Sequence, residues 1–336
     1  MNFSITNEFV PSLKGAWDQL LTESVTDVPF LHYEYLKQWW QTRGGGEWPE
    51  NASLLIITAT EGDQLVGVAP LFLNPDNQGS TLMFLGSKEI CDYLDVIVRP
   101  QDLDVFISGL LSFLSNSDFP HWDQIIFYNL IENSRTIQAL ERASSLMKWN
   151  FRTECVKHSP FVILPGNWET YLESIDKKQR HEIRRKMRRV QESSSSKWYI
   201  VSDSSALDHE IEAFFELMMQ DAEKSSFLTA PMREQMRRTI QWAFKENCLQ
   251  LSFLEIEGQK AASYFCFDYH NQILVYNSGF NSKFKDYSPG WVLLGNLLQW
   301  ANENKREVFD FMRGNEEYKY RFGGRDRFVV CVIIHR

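Results

Sequence analysis

The chain has little cysteine, and none of it falls in a pattern. Cys91, Cys155, Cys248, Cys266 and Cys331 stand singly, mostly within apolar runs, which argues against a Cys-x-x-Cys metal site or a disulfide framework and for reduced, buried thiols. Continuous apolar runs stay well short of the ~20 residues needed to span a bilayer. The first residues, Met1 to Phe9, lack a basic start and an apolar core. A cytoplasmic protein without a transmembrane segment is therefore expected, and peripheral membrane attachment is compatible with that. Pro/Gly-rich linkers are missing, and the one low-complexity tract, Ser193–Ser196, reads as an exposed loop after a helix. None of the seven histidines forms His-x-x-x-His or His-Glu-x-x-His, and no nucleophile elbow, Walker loop or dinucleotide fingerprint appears. These absences argue against a metal centre, a serine hydrolase, an ATPase and a Rossmann dehydrogenase. Basic residues are outnumbered 35 to 44 by acidic ones, a net charge of −9, which argues against wholesale nucleic-acid binding while leaving room for a local basic patch.

What is present is ordinary in amount and rich in aromatics. With 43% hydrophobic and 24% charged residues over 336 positions, the chain reads as a soluble globular protein of about two domains. Eleven Trp and 24 Phe predict cores packed largely from rings.

Two segments share one grammar. Leu54–Leu73 and Leu251–Phe267 each read as a strand, a Glu-Gly turn (Glu61-Gly62, Glu257-Gly258) and a second strand. Helical patterns precede both, at Pro11–Arg43 and Ser205–Asn247. After both come a strand, a helix and a strand: Thr81–Gly86, Gln101–Leu114 and Gln124–Leu130 in the first half, Gln272–Phe280, Pro289–Asn304 and Val308–Met312 in the second. The expected fold is a mixed α/β duplication, with domains at 1–155 and 156–336 and Phe151–Leu164 as the strand-rich passage between them.

The second half holds the densest signal. Ser288-Pro289-Gly290 opens a helix after a strand, with Pro289 suited to the first turn and Gly290 leaving the next N–H groups uncovered for an anion. The plain alternative is that Ser-Pro-Gly merely caps the helix. Asp310-Phe-Met-Arg-Gly314-Asn-Glu316-Glu317-Tyr318-Lys319 follows the next strand. Together these residues resemble the GCN5-related N-acetyltransferase (GNAT) superfamily, in the branch that groups CelD-like proteins with relatives of the FemABX peptidyltransferases. The resemblance implies tandem GNAT-like domains. Phe84-Leu85-Gly86 and Asp92-Tyr93-Leu94-Asp95 fit that branch too, but the first half lacks a second Ser-Pro-Gly start, so its copy is expected to be degenerate.

The resemblance also implies a chemistry. Acetyl-coenzyme A or another acyl-coenzyme A would be the donor, its pyrophosphate gripped at Lys285–Gly290, where Lys285 replaces the usual first residue of the motif and Ser288 its first glycine. The strand Leu274–Phe280 would splay from the next and hold the pantetheine arm along Asn277, Ser278 and Gly279, although Gly279 reads equally as a strand-end bulge. Amine acylation needs a base for the attacking amine and an acid for the departing thiolate. Tyr318 is the expected acid, and Glu316 or Asp310 the base, directly or through water. Read plainly, Asp310 caps a turn, and Glu316 and Glu317 are an acidic first helical turn. Lys319 is expected to meet a phosphate, as in FemABX-like enzymes. No metal is implied.

Lys177–Gln191 reads as an amphipathic basic helix with Ile183, Met187 and Val190 on one face and arginines over the rest. It suits tRNA, an anionic membrane surface, an acidic polysaccharide intermediate, or simply an ion-paired solvated face. The leading expectation is an N-acyltransferase acting on a small-molecule or glycan amine, with polysaccharide or cell-envelope biosynthesis as the implied setting. A FemABX-like transferase fed by aminoacyl-tRNA and a non-catalytic subunit of a biosynthetic complex are the alternatives.

Overall fold

The computed structural model describes residues 1–76, 79–193 and 195–336. It forms two compact units, Met1–Lys157 with Phe328–Arg336, and His158–Arg327. In chain order the first unit carries β1 (Asn2–Thr6), α1 (Leu13–Leu21), α2 (Tyr33–Gln41), the short turn α3 (Arg43–Gly46), β2 (Ser53–Glu61), β3 (Gln64–Asp76), β4 (Gly79–Phe84), β5 (Ile97–Val98), α4 (Leu103–Leu114), β6 (Gln124–Ile131), α5 (Arg135–Leu146) and β7 (Asn150–His158). The second carries β8 (Phe161–Ile163), α6 (Trp168–Ser174), α7 (Lys177–Ser193), β9 (Ser196–Ile200), α8 (Leu207–Met218), α9 (Ala222–Phe227), α10 (Ala230–Lys245), β10 (Leu249–Ile256), β11 (Gln259–Tyr269), β12 (Gln272–Phe280), α11 (Pro289–Glu303), β13 (Val308–Asp310) and α12 (Glu317–Arg321), and β14 (Phe328–His335) ends the chain.

The duplication expected from the hairpins is present in both sheets. Strands β1 to β4 form an antiparallel meander whose last member pairs in parallel with β6, reached through α4. Strands β9 to β12 do the same, with β13 as the parallel partner reached through α11. At the second hairpin Glu257 and Gly258 both take left-handed φ, 53° and 72°, as a two-residue type I′ turn requires.

Three features depart from the sequence reading. The apolar run of β14 enters the first unit's sheet beside β6, although residues 156–336 read as one continuous second domain; Val329, Cys331, Val332, Ile333 and Ile334 are all buried there. Cys155 is exposed, because β7 turns most of its side chains outward, while the other four cysteines are buried. Of Ser193–Ser196, α7 takes the first residue and β9 the last, and Ser194 lies outside the described residues.

The first unit fills its own cleft. The parallel ladder between β4 and β6 covers only Thr81–Met83 against Gln124–Ile126. Beyond it, Leu94 N–H donates to Asn129 O at 2.9 Å, and the Asn129 carboxamide donates to Lys88 O at 2.9 Å and Cys91 O at 2.7 Å. Leu85, Cys91, Tyr93 and Leu94 are buried in this plug. Asp92 is buried as well, and Asp95 is held by Thr26 and Ser134 hydroxyls at 2.7 Å each. These side chains close the space between β4 and β6 from within the first unit.

Candidate functional site

In the second unit the corresponding cleft stays open. Parallel pairing of β12 with β13 stops after Gln272–Leu274 against Val308–Asp310, so the rest of β12 has a partner strand only on the β11 side. Pairing with β11 slips by one residue between Val275 and Asn277, placing a bulge at Tyr276. Past the strand, Asn281 accepts the Lys283 N–H at 3.0 Å and starts a turn over Ser282–Tyr287. That turn delivers Ser288 in the left-handed region, φ 51°, directly before Pro289.

Helix α11 begins uncapped. The Ser288 side chain makes no capping bond, Val292 N–H is the first to be paired, with Ser288 O at 3.1 Å, and Pro289 has no N–H. The N–H groups of Gly290 and Trp291 have no acceptor among the described residues, as expected for a first helical turn without a cap. Gly290 has a second reason to be glycine: a Cβ there would stand 2.3 Å from the Phe280 ring. The Trp291 indole N–H is likewise buried without an acceptor among the described residues.

A cavity of about 580 Å³ opens at this helix start. It brings together six of the residues singled out from sequence: Ser278, Lys285, Ser288, Gly290, Glu316 and Tyr318. Lys285 is exposed at its rim. Glu316 is also largely exposed; Gly314, at φ 117°, leaves room for its carboxylate, since a Cβ would come 2.4 Å from Glu316 Oε2. Tyr318 is packed edge-on to Phe311, and burial, with Glu316 adding to it, holds its phenol well above the ordinary tyrosine value.

The other four lie elsewhere. Asn277 turns its carboxamide to the Ser278 N–H at 2.8 Å. Gly279 packs against the end of α8, where a Cβ would meet Met218 N at 2.5 Å; it is neither a cavity residue nor the bulge, which sits at Tyr276. Asp310 is 1% exposed, accepts the Met312 N–H at 2.8 Å and pairs with Arg327, so it does not reach the cavity as a base would have to. Lys319 is also buried: its ammonium donates to Met312 O, Arg313 O and Gly314 O at 3.1, 2.8 and 3.3 Å and pairs with Glu316 at 2.9 Å. Three donors facing four acceptors leave none for a phosphate. Lys319 pins the loop that carries Glu316.

Sequence reasoning missed Lys224, Tyr264, Phe280 and Trp291, all on the cavity wall. Tyr264 sits mid-strand in β11 and is buried, its phenol raised well above the ordinary value by burial and by nearby Tyr318. Lys224 comes from α9. The only local cue was Asp221, which caps that helix.

Helix α7 matches its expected face. Ile183, Met187 and Val190 are buried, with Met187 lying over Gly295 of α11. Its cations then reach the helix start: Lys186 Nζ is 4.2 Å from the Trp291 ring centre and the Arg189 guanidinium 5.7 Å from that of Tyr287. Arg184 with Glu169, Arg185 with Glu182 and Arg188 with Glu192 form exposed ion pairs, which water and salt screen so that they contribute little to stability.

Residues 177–320, which contain every cavity-lining side chain, match the family model described as "Acetyltransferase (GNAT) domain". The fold is shared with FemX, at 11% identity over 98% of this chain and 97% of that one with a TM-score of 0.65. It is also shared with a conserved protein of unknown function from Bacteroides thetaiotaomicron, at 10% identity over 100% of both chains with a TM-score of 0.61. L-PGS from Bacillus licheniformis is similar as well, at 11% identity over 99% of this chain and 94% of that one with a TM-score of 0.58. No curated protein sequence matches the chain. Residues 177–320 thus match a GNAT acyltransferase domain, and the fold of the chain is the one FemX has. Among the described residues no helix is long and apolar enough to cross a membrane.

Proposed function

We propose that the second unit binds an acyl-coenzyme A in this cavity and passes the acyl group to an amine. The observation that carries the reading is the open edge of β12 running into the uncapped start of α11, with the Tyr318 phenol on the same wall. A helix start alone contributes about 0.3–1 kcal/mol toward an anion. Directed N–H bonds from Gly290 and Trp291, with the Lys285 charge beside them, supply the rest of a pyrophosphate grip. The pantetheine arm lies along the unpaired half of β12. Tyr318 donates a hydrogen bond to the departing thiolate. A buried phenol is a weaker acid than a thiol, so stabilising the thiolate, rather than surrendering a proton to it, is the role its environment supports. Glu316, fixed at the rim by Lys319, receives the proton of the amine directly or through water.

Calorimetric titration of coenzyme A and acetyl-coenzyme A into the whole chain tests this. Wild type is expected to bind both. Lys285→Glu should weaken binding at least about tenfold, 1.4 kcal/mol, with an unchanged melting temperature because Lys285 is exposed. Absence of binding by wild type would overturn the reading.

A second donor, aminoacyl-tRNA, is favoured by one specific feature: the basic side of α7 flanks the start of α11 through Lys186 and Arg189. Under that reading the chain binds tRNA with an affinity that falls linearly in log–log terms as salt rises, by about one unit of slope per phosphate neutralised, and Arg185→Glu/Arg188→Glu lowers the slope. Affinity that ignores salt, in filter binding at two or more salt concentrations, would remove tRNA as the donor.

A further inference from the structure

Two cations line the cavity among the described residues, Lys224 and Lys285, and they differ in kind. Lys285 is exposed at the helix start. Lys224 projects from α9, whose first turn is set by Asp221 accepting the N–H groups of Glu223 and Lys224 at 3.0 Å each. Its ammonium donates to Ser278 O at 2.5 Å and Ser278 Oγ at 3.2 Å, on the part of β12 that β13 leaves unpaired. An ammonium has three donors, and the third has no hydrogen-bond acceptor among the described residues; the Phe280 ring centre lies 5.9 Å from the nitrogen. The charged groups around it are Asp221 on its own turn and Glu316 from the loop before α12; Tyr264 of β11 and Tyr318 of α12 share the same cavity.

We infer that Lys224 is a catalytic residue whose third N–H meets the carbonyl oxygen of the acyl group and stabilises the negative charge that gathers there as the amine attacks. The inference rests on the donor site proposed above. In the step, the amine nitrogen forms a bond to the carbonyl carbon, and the C=O π pair moves onto oxygen, where Lys224 holds it. That pair then returns, the C–S bond breaks with its electrons on sulfur, and the proton of the amine leaves toward Glu316 or water. Lys224 gives and takes no proton. A preset, partly desolvated cation suits this task because its charge is weakly screened and needs no reorganisation as the oxyanion forms. Burial lowers the pKa of Lys224 from its usual value, while Asp221 and Glu316 oppose the shift. Activity that needs the ammonium is therefore lost, as pH rises, earlier than an ordinary lysine would lose it.

The test uses the full chain with acetyl-coenzyme A as donor and hydroxylamine as a small amine nucleophile, following thiol release, beside calorimetry of coenzyme A. Lys224→Met should lower the rate at saturating donor about 100-fold or more, with coenzyme A affinity within about threefold of wild type. Lys224→Arg should recover part of the rate and lose the high-pH fall, since a guanidinium stays charged. Four results would overturn the inference: no acceleration by wild type that binds coenzyme A, a Lys224→Met rate within about threefold of wild type, a high-pH fall that persists in Lys224→Arg, or rate, affinity and melting temperature lost in parallel, which is the mark of a residue that only props β12. Failure of wild type to bind coenzyme A would instead remove the donor site itself, and this role with it.

Discussion

Tyr318→Phe is expected to lower acetyl transfer about 100-fold or more while leaving coenzyme A affinity close to wild type. The ring stays, so its edge contact with Phe311 and the cavity wall are kept; only the hydroxyl is lost. Under the proposed function, donor affinity rests on Gly290, Trp291 and Lys285, which this substitution leaves in place. The phenol of Tyr318 is held well above the ordinary value by burial and Glu316, so it remains protonated across the working range. The high-pH fall assigned to Lys224 should therefore persist in Tyr318→Phe, which separates the two groups in a single set of pH profiles. A rate for Tyr318→Phe within about twofold of wild type would remove this hydroxyl from the reaction.

Asp310→Ala should act on stability first. The carboxylate is buried, receives the Met312 N–H and pairs with Arg327, so its removal strands a largely buried guanidinium. Breaking such a pair costs about 3–5 kcal/mol, a fall of about 10 °C in the melting transition of a unit this size. Scanning calorimetry reads that directly. Well below the transition, turnover should stay within about tenfold of wild type, because Asp310 does not line the cavity. Abolished turnover with an unshifted transition would restore Asp310 as the base.

The two outcomes differ because residues that looked equivalent along the chain are not equivalent in space. Asp310, Glu316, Tyr318 and Lys319 lie within ten positions. Only Glu316 and Tyr318 reach the cavity, since the loop between β13 and α12 is folded back around the Lys319 ammonium, which turns that side chain and Asp310 inward. Composition carries no signal for this. A lysine bound by three carbonyls and a lysine waiting for a phosphate are the same letter.

Much else was legible because its cause is local. The paired hairpins follow from β-rich runs broken at Glu-Gly, the start of α11 from Pro289, and the buried face of α7 from the spacing of Ile183, Met187 and Val190. The order of strands and helices was therefore set by the sequence alone. Tertiary structure decided what depends on residues distant in the chain: β14 beside β6, the plug of Leu85–Asp95 against Asn129, Gly279 under α8, and Lys224 on Ser278 across 54 positions. Periodicity and turn chemistry act over a few residues and leave a pattern in the sequence. Pairing between distant polar groups leaves none, because it is chosen by which partner burial places within hydrogen-bonding reach.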